Sequence, residues 1–445
     1  MKRQGYLLIL LATLIFALLL RAASGYAFQN PAKESKNKNA QSAEDDQKNI
    51  LERTVRSALA PRQAQVFGRP YTYYFLPIAF YHFDTGLNLG FNTHWFSPKR
   101  DAFLYRLRLQ VIASLRNNHK HNFVFEYPQL ADSKFGFILR GEWERTLQTR
   151  YFGLGNNSVN DRELTASGNE NFIHKDFYVY TLKRPRLKLF LTYQISSDIV
   201  FGFGAGFQSA DPQPRDNPGE SFLAVDRPFG YLGGSGKHLA FKMNWDTRSN
   251  RVFPLGGFHT ELSFEPNWAA VNVKSQTPDG RQKQSQNVTF SRYTFSDSRF
   301  LQIKSNRLIL ANRIAFEAIS GAAPYYEFGQ FSGQRNTRAV GGSQSLRGFN
   351  SRRFQDKIKL ITLTELRFNY RPINLMSESF GVIFIAFFDN GRVWQKWSDI
   401  AFNDVHSTFG FGIWLNWDNN LIIRLDVGHS KEETLFPFLR LNTAF

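Results

Sequence analysis

The chain ends in Thr434-Leu-Phe-Pro-Phe-Leu-Arg-Leu-Asn-Thr-Ala-Phe445, an alternating stretch whose last residue is aromatic. This stretch predicts a final β-strand with no polar tail behind it, which is how many bacterial outer-membrane barrels end. In lipid every backbone amide needs a partner within the protein, so strands cross a membrane only as a closed barrel. We therefore expect the aliphatic residues of the strands to face lipid and the polar residues to face a lumen.

The other end of the chain has the features of an export signal. Lys2 and Arg3 precede an apolar run over residues 6–20, and Gly25-Tyr26-Ala27 offers a cleavage site. The run is short and no stop-transfer pattern follows, so residues 1–27 are predicted to be a secretory signal peptide. Those residues carry three basic side chains and no acidic one, so cleavage would lower the formal net charge from +18 to +15. The sequence has no cysteine, which excludes a lipoprotein and disulfides.

Residues 28–70 are predicted to form a leader that lies outside the barrel. The part over 28–44 is polar and rich in Lys, Asn, Ser and Gln, a composition typical of disorder. A short amphipathic helix is expected next, with Ser42 as its N-cap and Pro61 after its end. This helix is either a tether or an element that lies on the inner leaflet or plugs the barrel mouth.

From Tyr71 onward the apolar residues recur with a period of two, which is the period of a strand. Near the end of the chain, for example, Leu421, Ile423 and Leu425 alternate with Arg424 and Asp426. Charged residues inside and aliphatic residues outside are typical of a transmembrane barrel. The mature chain has no apolar run of the roughly 18 or more residues that a membrane helix needs. Residues 71–445 are therefore predicted to be an all-β, antiparallel transmembrane β-barrel.

The number of strands follows from the long connections, which should all lie on the extracellular side. They are expected near 148–171, 210–236, 269–287, 320–356 and 395–405. An even number of strands must separate neighbouring long connections, so residues 172–194 should be one strand despite Pro185. This segmentation predicts 16 strands, with both ends of the barrel facing the periplasm.

Five short motifs, in order along the chain, resemble a known family, the BamA/TamA (bacterial surface antigen) superfamily. The clearest is Gly341-Gly-Ser-Gln-Ser-Leu-Arg-Gly-Phe349, which is similar to the signature loop of that superfamily. The others span Tyr151–Asn156, Asp246–Gly256, Glu365–Arg367 and Phe387–Trp394. The resemblance covers residues 70–445. It implies a 16-stranded barrel whose long extracellular loop, near 320–356, folds back into the lumen.

The resemblance also implies which residues hold the loop in the lumen. The loop tip is Leu346-Arg347-Gly348-Phe349, where the family usually has Val in place of Leu346. By family pattern Arg347 pairs with Asp389, with Glu365 beside it, and a guanidinium in a narrow lumen needs such a planar carboxylate partner. The alternative is that Arg347 is a solvated loop residue.

The first and last strands each carry a proline, Pro77 and Pro437, and the last strand ends at Phe445. Proline donates no ladder hydrogen bond and is confined to edges and strand ends. These two strands must pair to close the barrel, so they define a lateral seam that is weakly bonded and able to part. The alternative is ordinary accommodation of proline near strand ends.

Catalysis and cofactor binding find little support. Ser343 and Ser345 lack the Gly-x-Ser-x-Gly arrangement of a hydrolase, and His119 and His121 read as exposed turn residues rather than metal ligands. We expect no enzyme, no metal, no cofactor and no nucleic-acid partner. The signature loop and its neighbourhood are rich in basic residues, namely Arg335, Arg338, Arg347, Arg352 and Arg353. These residues predict contact with lipopolysaccharide phosphates or, alternatively, a lumen that favours anions.

Two functions remain open at this point. The first is a superfamily barrel of the outer membrane that aids insertion or translocation of protein or lipid, with client outer-membrane proteins or a partner complex. The second is a passive pore or a structural scaffold barrel for a partner complex. Family members with assembly or secretion roles carry periplasmic POTRA modules before the barrel. Residues 28–70 are too few for such a module, so we expect a POTRA-less member.

Overall fold

The computed structural model describes residues 62–66, 69–82, 86–99, 102–214, 221–277, 280–332, 337–375, 378–417, 421–433 and 436–441. The predicted signal peptide, the polar leader, the amphipathic helix and Phe445 lie outside these residues. The described residues are almost entirely strand, and their single α-helix is the five-residue α1 (Phe222–Asp226). None of the helical segments described is long and apolar enough to span a membrane.

The strands, in chain order, are β1 (Arg62–Val66), β2 (Arg69–His82), β3 (Gly86–Lys99), β4 (Ala102–Ser114), β5 (His119–Tyr127), β6 (Phe135–Arg150), β7 (Val179–Gln194), β8 (Ile199–Pro214), β9 (Gly234–Asp246), β10 (Gly257–Thr277), β11 (Gly280–Lys304), β12 (Leu308–Gly321), β13 (Gln330–Phe331), β14 (Thr337–Arg338), β15 (Ile358–Asn369), β16 (Ile373–Leu375), β17 (Glu378–Trp394), β18 (His406–Trp417), β19 (Leu421–Ser430) and β20 (Phe436–Leu441).

Sixteen of these strands form one antiparallel sheet in which each pairs with its neighbours in the chain: β2 to β12, β15, and β17 to β20. The short β16 continues β15 along the same partner, β17. The predicted count of 16 strands is therefore confirmed. Pro185 lies within β7, as expected, and a tight turn at 195–198 follows, but β7 begins at Val179 rather than at residue 172.

The connections differ sharply between the two ends of the sheet. Long segments at 151–178, 215–233, 322–357 and 395–405 all lie at one end, here called the loop end, and the opposite end is the turn end. The long connection expected at 269–287 is wrong, because β10 and β11 stay paired up to Thr277 and Gly280. Where a hairpin extends beyond the hydrocarbon, its outward residues face water and are polar. The sequence of such a hairpin therefore resembles that of a loop.

Apolar side chains cover the outer face of the sheet, and charged side chains line its inner face. On β17, Phe384 and Phe388 are 42% and 49% exposed, whereas Asp389 is fully buried. On β15, Leu366 and Phe368 are exposed while Glu365 and Arg367 are buried. This arrangement inverts that of a soluble protein and places hydrocarbon at the outer face.

Small residues on β8 make room for larger side chains inside the lumen. Gly204 lies against the ring of Phe190 on β7, and Gly206 lies against the ring of His238 on β9. A Cβ at either position would approach those rings within 2.4 Å. The glycine-rich stretch of β8 is thus a packing feature of the inner wall.

The first and last strands of the sheet do not pair with each other. β20 pairs with β19, and within the described residues no ladder joins β20 to β2. The sheet is therefore open between β2 and β20, and this opening is here called the seam. The edge of β2 at the seam instead carries β1, which pairs from Arg62↔Tyr73 to Val66↔Arg69.

Candidate functional site

The loop over 322–357 folds into the lumen and ends in a tight tip. Gly341, Gly342 and Gly348 have φ of 119°, 99° and 105°, a backbone region that glycine adopts without strain. The tip is held by its own hydrogen bonds: the Gly342 amide donates to the Leu346 carbonyl at 3.1 Å, and the Gly341 amide donates to Ser345 Oγ at 3.0 Å. These turns place Arg347 at the point where the loop contacts the inner wall.

Arg347 is the centre of the candidate site. Its Nε and Nη2 donate to the two carboxylate oxygens of Asp389, each at 2.7 Å, and its Nη1 donates to Glu365 Oε1 at 2.6 Å. The Arg347 backbone amide also donates to Asp389, at 3.2 Å. The guanidinium carbon lies 3.7 Å from the centre of the Phe387 ring. The structure thus brings together the three charged residues that the family resemblance paired.

The charges around Arg347 balance. Arg367 Nε donates to Glu365 at 2.8 Å, Arg424 pairs with Asp426, and Asp426 lies 4.0 Å from Arg347 Nη1. We call these six residues the Arg347 cluster: Arg347, Glu365, Arg367, Asp389, Arg424 and Asp426. Three cations face three anions, and each side chain is at most 1% exposed. Burial alone would lower the pKa of Arg347, but Asp389 and Glu365 hold that pKa above its ordinary value.

A close approach of two backbones brings the loop tip to the wall. A Cβ on Gly428 of β19 would lie 2.7 Å from the carbonyl carbon of Arg347. A Cβ on Gly391 of β17 would lie 2.9 Å from Val340. Both positions therefore need glycine while the loop is docked. The sequence shows these glycines, but only the fold shows that they oppose the loop.

Apolar residues of the loop pack against the same wall. Leu346 and Phe349 are fully buried and belong to a cluster that joins loop residues to β12, β15 and β17. Phe349 meets Phe354 edge-on at 5.3 Å between ring centres, and Phe354 stacks on His406 at 3.6 Å. All four predicted tip residues, Leu346 to Phe349, are therefore in contact with the barrel rather than with solvent.

A second contact holds the loop nearer the loop end. Glu433, in the connection between β19 and β20, accepts hydrogen bonds from the Asn350 amide at 3.0 Å and from Arg353 Nε at 3.2 Å. Arg353 Nη1 donates to Ser158 Oγ at 2.9 Å. We call these residues the Glu433 cluster: Ser158, Asn350, Arg353 and Glu433. No sequence motif predicts this cluster, because Glu433 and Ser158 lie 80 or more residues from Arg353, the loop residue that both contact.

A third contact fixes the start of the loop. Glu327 accepts from Arg184 Nη2 at 2.9 Å and also pairs with Arg292, and all three side chains are at most 2% exposed. Arg292 pairs in turn with Glu317 at 3.2 Å, and Glu317 pairs with Lys359 at 2.7 Å. Ion pairs between the start of the loop and the strands therefore occupy this part of the lumen, and the loop forms part of the barrel interior.

At the turn end, the connection between β9 and β10 inserts Phe253 into the lumen. Phe253 packs among lumenal apolar residues that include Ile309 and Trp414. The Arg367 guanidinium lies 5.8 Å from the Phe253 ring centre and 5.1 Å from the Trp414 ring centre. The connection that carries the motif Asp246–Gly256 therefore packs against Arg367 of the Arg347 cluster from the turn end, a contact that the motif alone does not predict.

The basic residues of the signature loop point inward. Arg338 pairs with Glu144 at 3.2 Å, and Arg347 and Arg353 pair with acidic residues as described above. Arg352 is buried, and burial together with Arg338 lowers the pKa of Arg352 to about 10, against the opposing effect of Glu144. Arg335 lies outside the described residues. The charges of this loop thus neutralise lumenal carboxylates, and contact with lipopolysaccharide stays a prediction.

Of the predicted seam residues, Pro77 lies at the start of the sheet, and Pro437 lies on β20, the strand that pairs with β19 and so with the segment of Arg424 and Asp426. Pro77 is exposed on β2 opposite Phe91, and Pro437 of β20 stands opposite Val427. Both strands border the open seam. Among the described residues, no group of three or more His, Cys, Asp or Glu side chains is placed to hold a metal ion.

These features define a class: a β-barrel of the bacterial outer membrane whose longest loop folds into its own lumen. Residues 79–430 match the Omp85 superfamily domain. The chain therefore belongs to the Omp85 superfamily, the family that its motifs indicated under the name BamA/TamA.

A solved structure shares this fold. BamA from Haemophilus ducreyi lacking POTRA domains 1-3 is similar over 92% of this chain and 80% of that chain, with 13% sequence identity and a TM-score of 0.52. The beta domain of the Bordetella autotransporter BrkA covers 59% of this chain and 90% of its own length, with 12% identity and a TM-score of 0.29. No curated protein matches the chain.

Proposed function

We propose that this outer-membrane barrel aids the insertion or translocation of protein or lipid at the outer membrane, through its lateral seam. One observation carries the proposal: β2 and β20, which must pair to close the barrel, are not joined by a ladder in the described residues. An open wall would destabilise a passive pore or scaffold without contributing to its function, because the backbone groups of a strand edge in lipid have no hydrogen-bond partners.

The docked loop supports the same function. The Arg347 and Glu433 clusters fix the loop to β15, β17, β19 and the connection before β20. The seam lies beyond β19, so the wall on the β20 side is held rigid up to the last strand. Pro77 and Pro437 each remove one backbone donor from the two strands that border the seam, although proline also occurs in interior strands, as at Pro185 of β7. A rigid wall with one weak junction suits lateral opening better than a general pore.

The clients of this function are proposed to be outer-membrane proteins or lipids, or a partner complex that delivers them. The outer face between the two ends is aliphatic and aromatic, so lipid is its immediate neighbour. An unfolded outer-membrane protein presents strands with unpaired edges, and an open strand edge is the surface that such strands bind.

Crosslinking across the seam tests the proposal. Ile78→Cys on β2 is combined in turn with cysteines at Phe438, Leu439 and Arg440 of β20, and each pair is joined with a short bis-maleimide in a chain that has no other cysteine. The readout is the folding rate of a client barrel added to liposomes that contain the protein. We expect the joined seam to lower that rate to the level of empty liposomes.

The matched control joins Ala79→Cys to Leu89→Cys, which are ladder partners within the wall. This crosslink should leave client folding unchanged. Full client folding with the seam joined would contradict the proposal. Conductance separates the alternative function: a loop-filled lumen predicts small, flickering currents, whereas large and stable currents would favour the passive pore.

A further inference from the structure

The strand β1 occupies the seam edge of β2. Thr72 and Tyr73 each have two ladder partners, one on β1 and one on β3. A strand residue can have ladder partners only at its two edges, so β1 lies on the edge opposite β3. That edge is where β20 would have to pair to close the barrel. A segment from before the barrel therefore stands in the position of the closing strand.

The edge is only partly covered. β2 has 14 residues, and β1 pairs with the five from Arg69 to Tyr73. The nine residues from Tyr74 to His82 have β3 as their partner on one side, and no ladder is present on the seam side within the described residues. Pro77 lies in this uncovered part. Another strand could thus begin to pair at the uncovered part and then extend towards Arg69.

The sequence of β1 favours reversible binding. Its five residues, Arg-Gln-Ala-Gln-Val, contain two glutamines and no aromatic residue, whereas β20 is Phe-Pro-Phe-Leu-Arg-Leu. Strand residues with large apolar side chains pair more strongly on a lipid-facing sheet. The tight hairpin of Val66↔Arg69 keeps β1 at high local concentration, which offsets its short length. A short tethered strand therefore protects the edge but yields to a longer apolar one.

We propose that Arg62–Val66 is an autoinhibitory strand that covers the seam edge of β2 and must leave before an amphipathic β-strand of another protein adds to that edge. This inference rests on the proposed function, because it regulates the same seam. The competing occupant is an extended, amphipathic β-strand that alternates apolar and polar residues and supplies the backbone donors and acceptors that β1 gives up.

A reversible disulfide tests the inference. Ala64→Cys and Tyr71→Cys are ladder partners, so oxidation should hold β1 on β2 and reduction should free it in the same folded sample. The probe is a fluorescent peptide with the sequence of residues 434–445, and the readout is its dissociation constant for the protein in detergent micelles. If β1 covers the edge in nine of ten molecules of the reduced protein, complete removal of β1 raises the apparent affinity about tenfold, and the oxidised protein, whose edge stays covered, should bind much more weakly than the reduced one.

Three samples are compared. The oxidised pair should bind the peptide at least about tenfold more weakly than the reduced pair. A variant with Arg62–Val66 replaced by five Gly and Ser residues should bind it more tightly than the unmodified chain. A control disulfide between Leu89→Cys and Ala113→Cys, ladder partners of β3 and β4, should have no effect. Equal affinity of the oxidised and reduced pairs would overturn the inference.

The result is independent of client folding. Peptide binding that depends on the β1 disulfide, together with client folding that survives a joined seam, would retain the autoinhibitory strand and remove the proposed function. Peptide binding that ignores the disulfide, together with client folding that stops when the seam is joined, would do the reverse.

Discussion

Replacing Asp389 should release the loop from the lumen. Asp389 accepts three of the four hydrogen bonds that Arg347 makes to the wall: those from Nε, Nη2 and the backbone amide. In Asp389→Asn the side chain keeps its shape but loses its charge. Its amide nitrogen replaces one acceptor oxygen and cannot accept a hydrogen bond from the Arg347 guanidinium. Arg347 is then buried with one remaining direct carboxylate partner, Glu365, and at most one acceptor oxygen at position 389. Breaking a buried ion pair by removing one partner costs about 3–5 kcal/mol.

The assay is limited trypsin digestion of the folded barrel in detergent. Cleavage after Arg352 or Arg353 requires the loop to leave the lumen, because both residues are buried. When cleavage follows the population of the open form, a loss of about 3 kcal/mol raises the cleavage rate at least about 100-fold. Asp389→Arg should have a larger effect and should also lower the yield of folded barrel.

The matched control is Arg299→Ala. Arg299 pairs with Asp297 at 2.7 Å, but its side chain is 61% exposed, so its loss should cost no more than about 1 kcal/mol. Digestion of Asp389→Asn at the rate of the unmodified chain, with an unchanged yield of folded barrel, would show that Arg347 does not hold the loop.

Three further substitutions probe the surroundings of the loop. Phe253→Ala should lower the free energy of unfolding by about 3–5 kcal/mol, which is measured as a lower midpoint of guanidinium unfolding. Phe402→Ala, at a side chain that is 76% exposed, should leave the midpoint unchanged. Equal midpoints for the two variants would contradict the role of Phe253. Gly428→Ala places a Cβ 2.7 Å from the Arg347 carbonyl carbon and should speed trypsin cleavage of the loop, while Gly256→Ala, with no atom within 4 Å, should not. Glu433→Gln should weaken the contacts of residue 433 with Asn350 and Arg353 by about 1–3 kcal/mol. Trypsin should then cleave after Arg353 faster than in the unmodified chain but more slowly than in Asp389→Asn. No change in cleavage would show that the Glu433 cluster does not contribute to docking of the loop.

The fold could be predicted because its determinants are local. Alternation along β15 and β19 is visible in any window of the sequence, and the requirement for an even number of strands between long connections gives the count of 16. The error at 269–287 has a physical cause. β10 and β11 continue as a paired ribbon past the hydrocarbon, where water replaces lipid and polar residues such as Gln276 are tolerated.

The site could be predicted only where a motif carried it. Arg347, Asp389 and Glu365 stand together in the structure as the signature motifs implied. Glu433 and Glu327 could not be found in the same way, because a single carboxylate in a loop has no pattern that shows its distant partner. The requirement for glycine at 428 likewise depends on a backbone that approaches from 80 residues away.

The strand β1 shows a different limit. Residues 62–66 fall within the predicted leader because the period of two is visible only from Tyr71 onward. Their conformation is set by the neighbouring edge of β2, which offers unpaired backbone donors and acceptors to any adjacent segment. Pairing of this kind depends on the tertiary structure rather than on propensity.

The most direct test of the barrel orientation is a spin-label scan along β4 in lipid bilayers. Single cysteines are placed at each position from Arg106 to Val111, and collision with oxygen in lipid is compared with collision with a water-soluble nickel chelate. The side chains of Arg106 and Arg108 are 31% and 28% exposed within the lumen, so labels fit there. We expect oxygen contact to peak at Leu107, Leu109 and Val111 and nickel contact to peak at the positions between them. The opposite phase, or no period of two, would contradict a sheet with hydrocarbon outside and water inside.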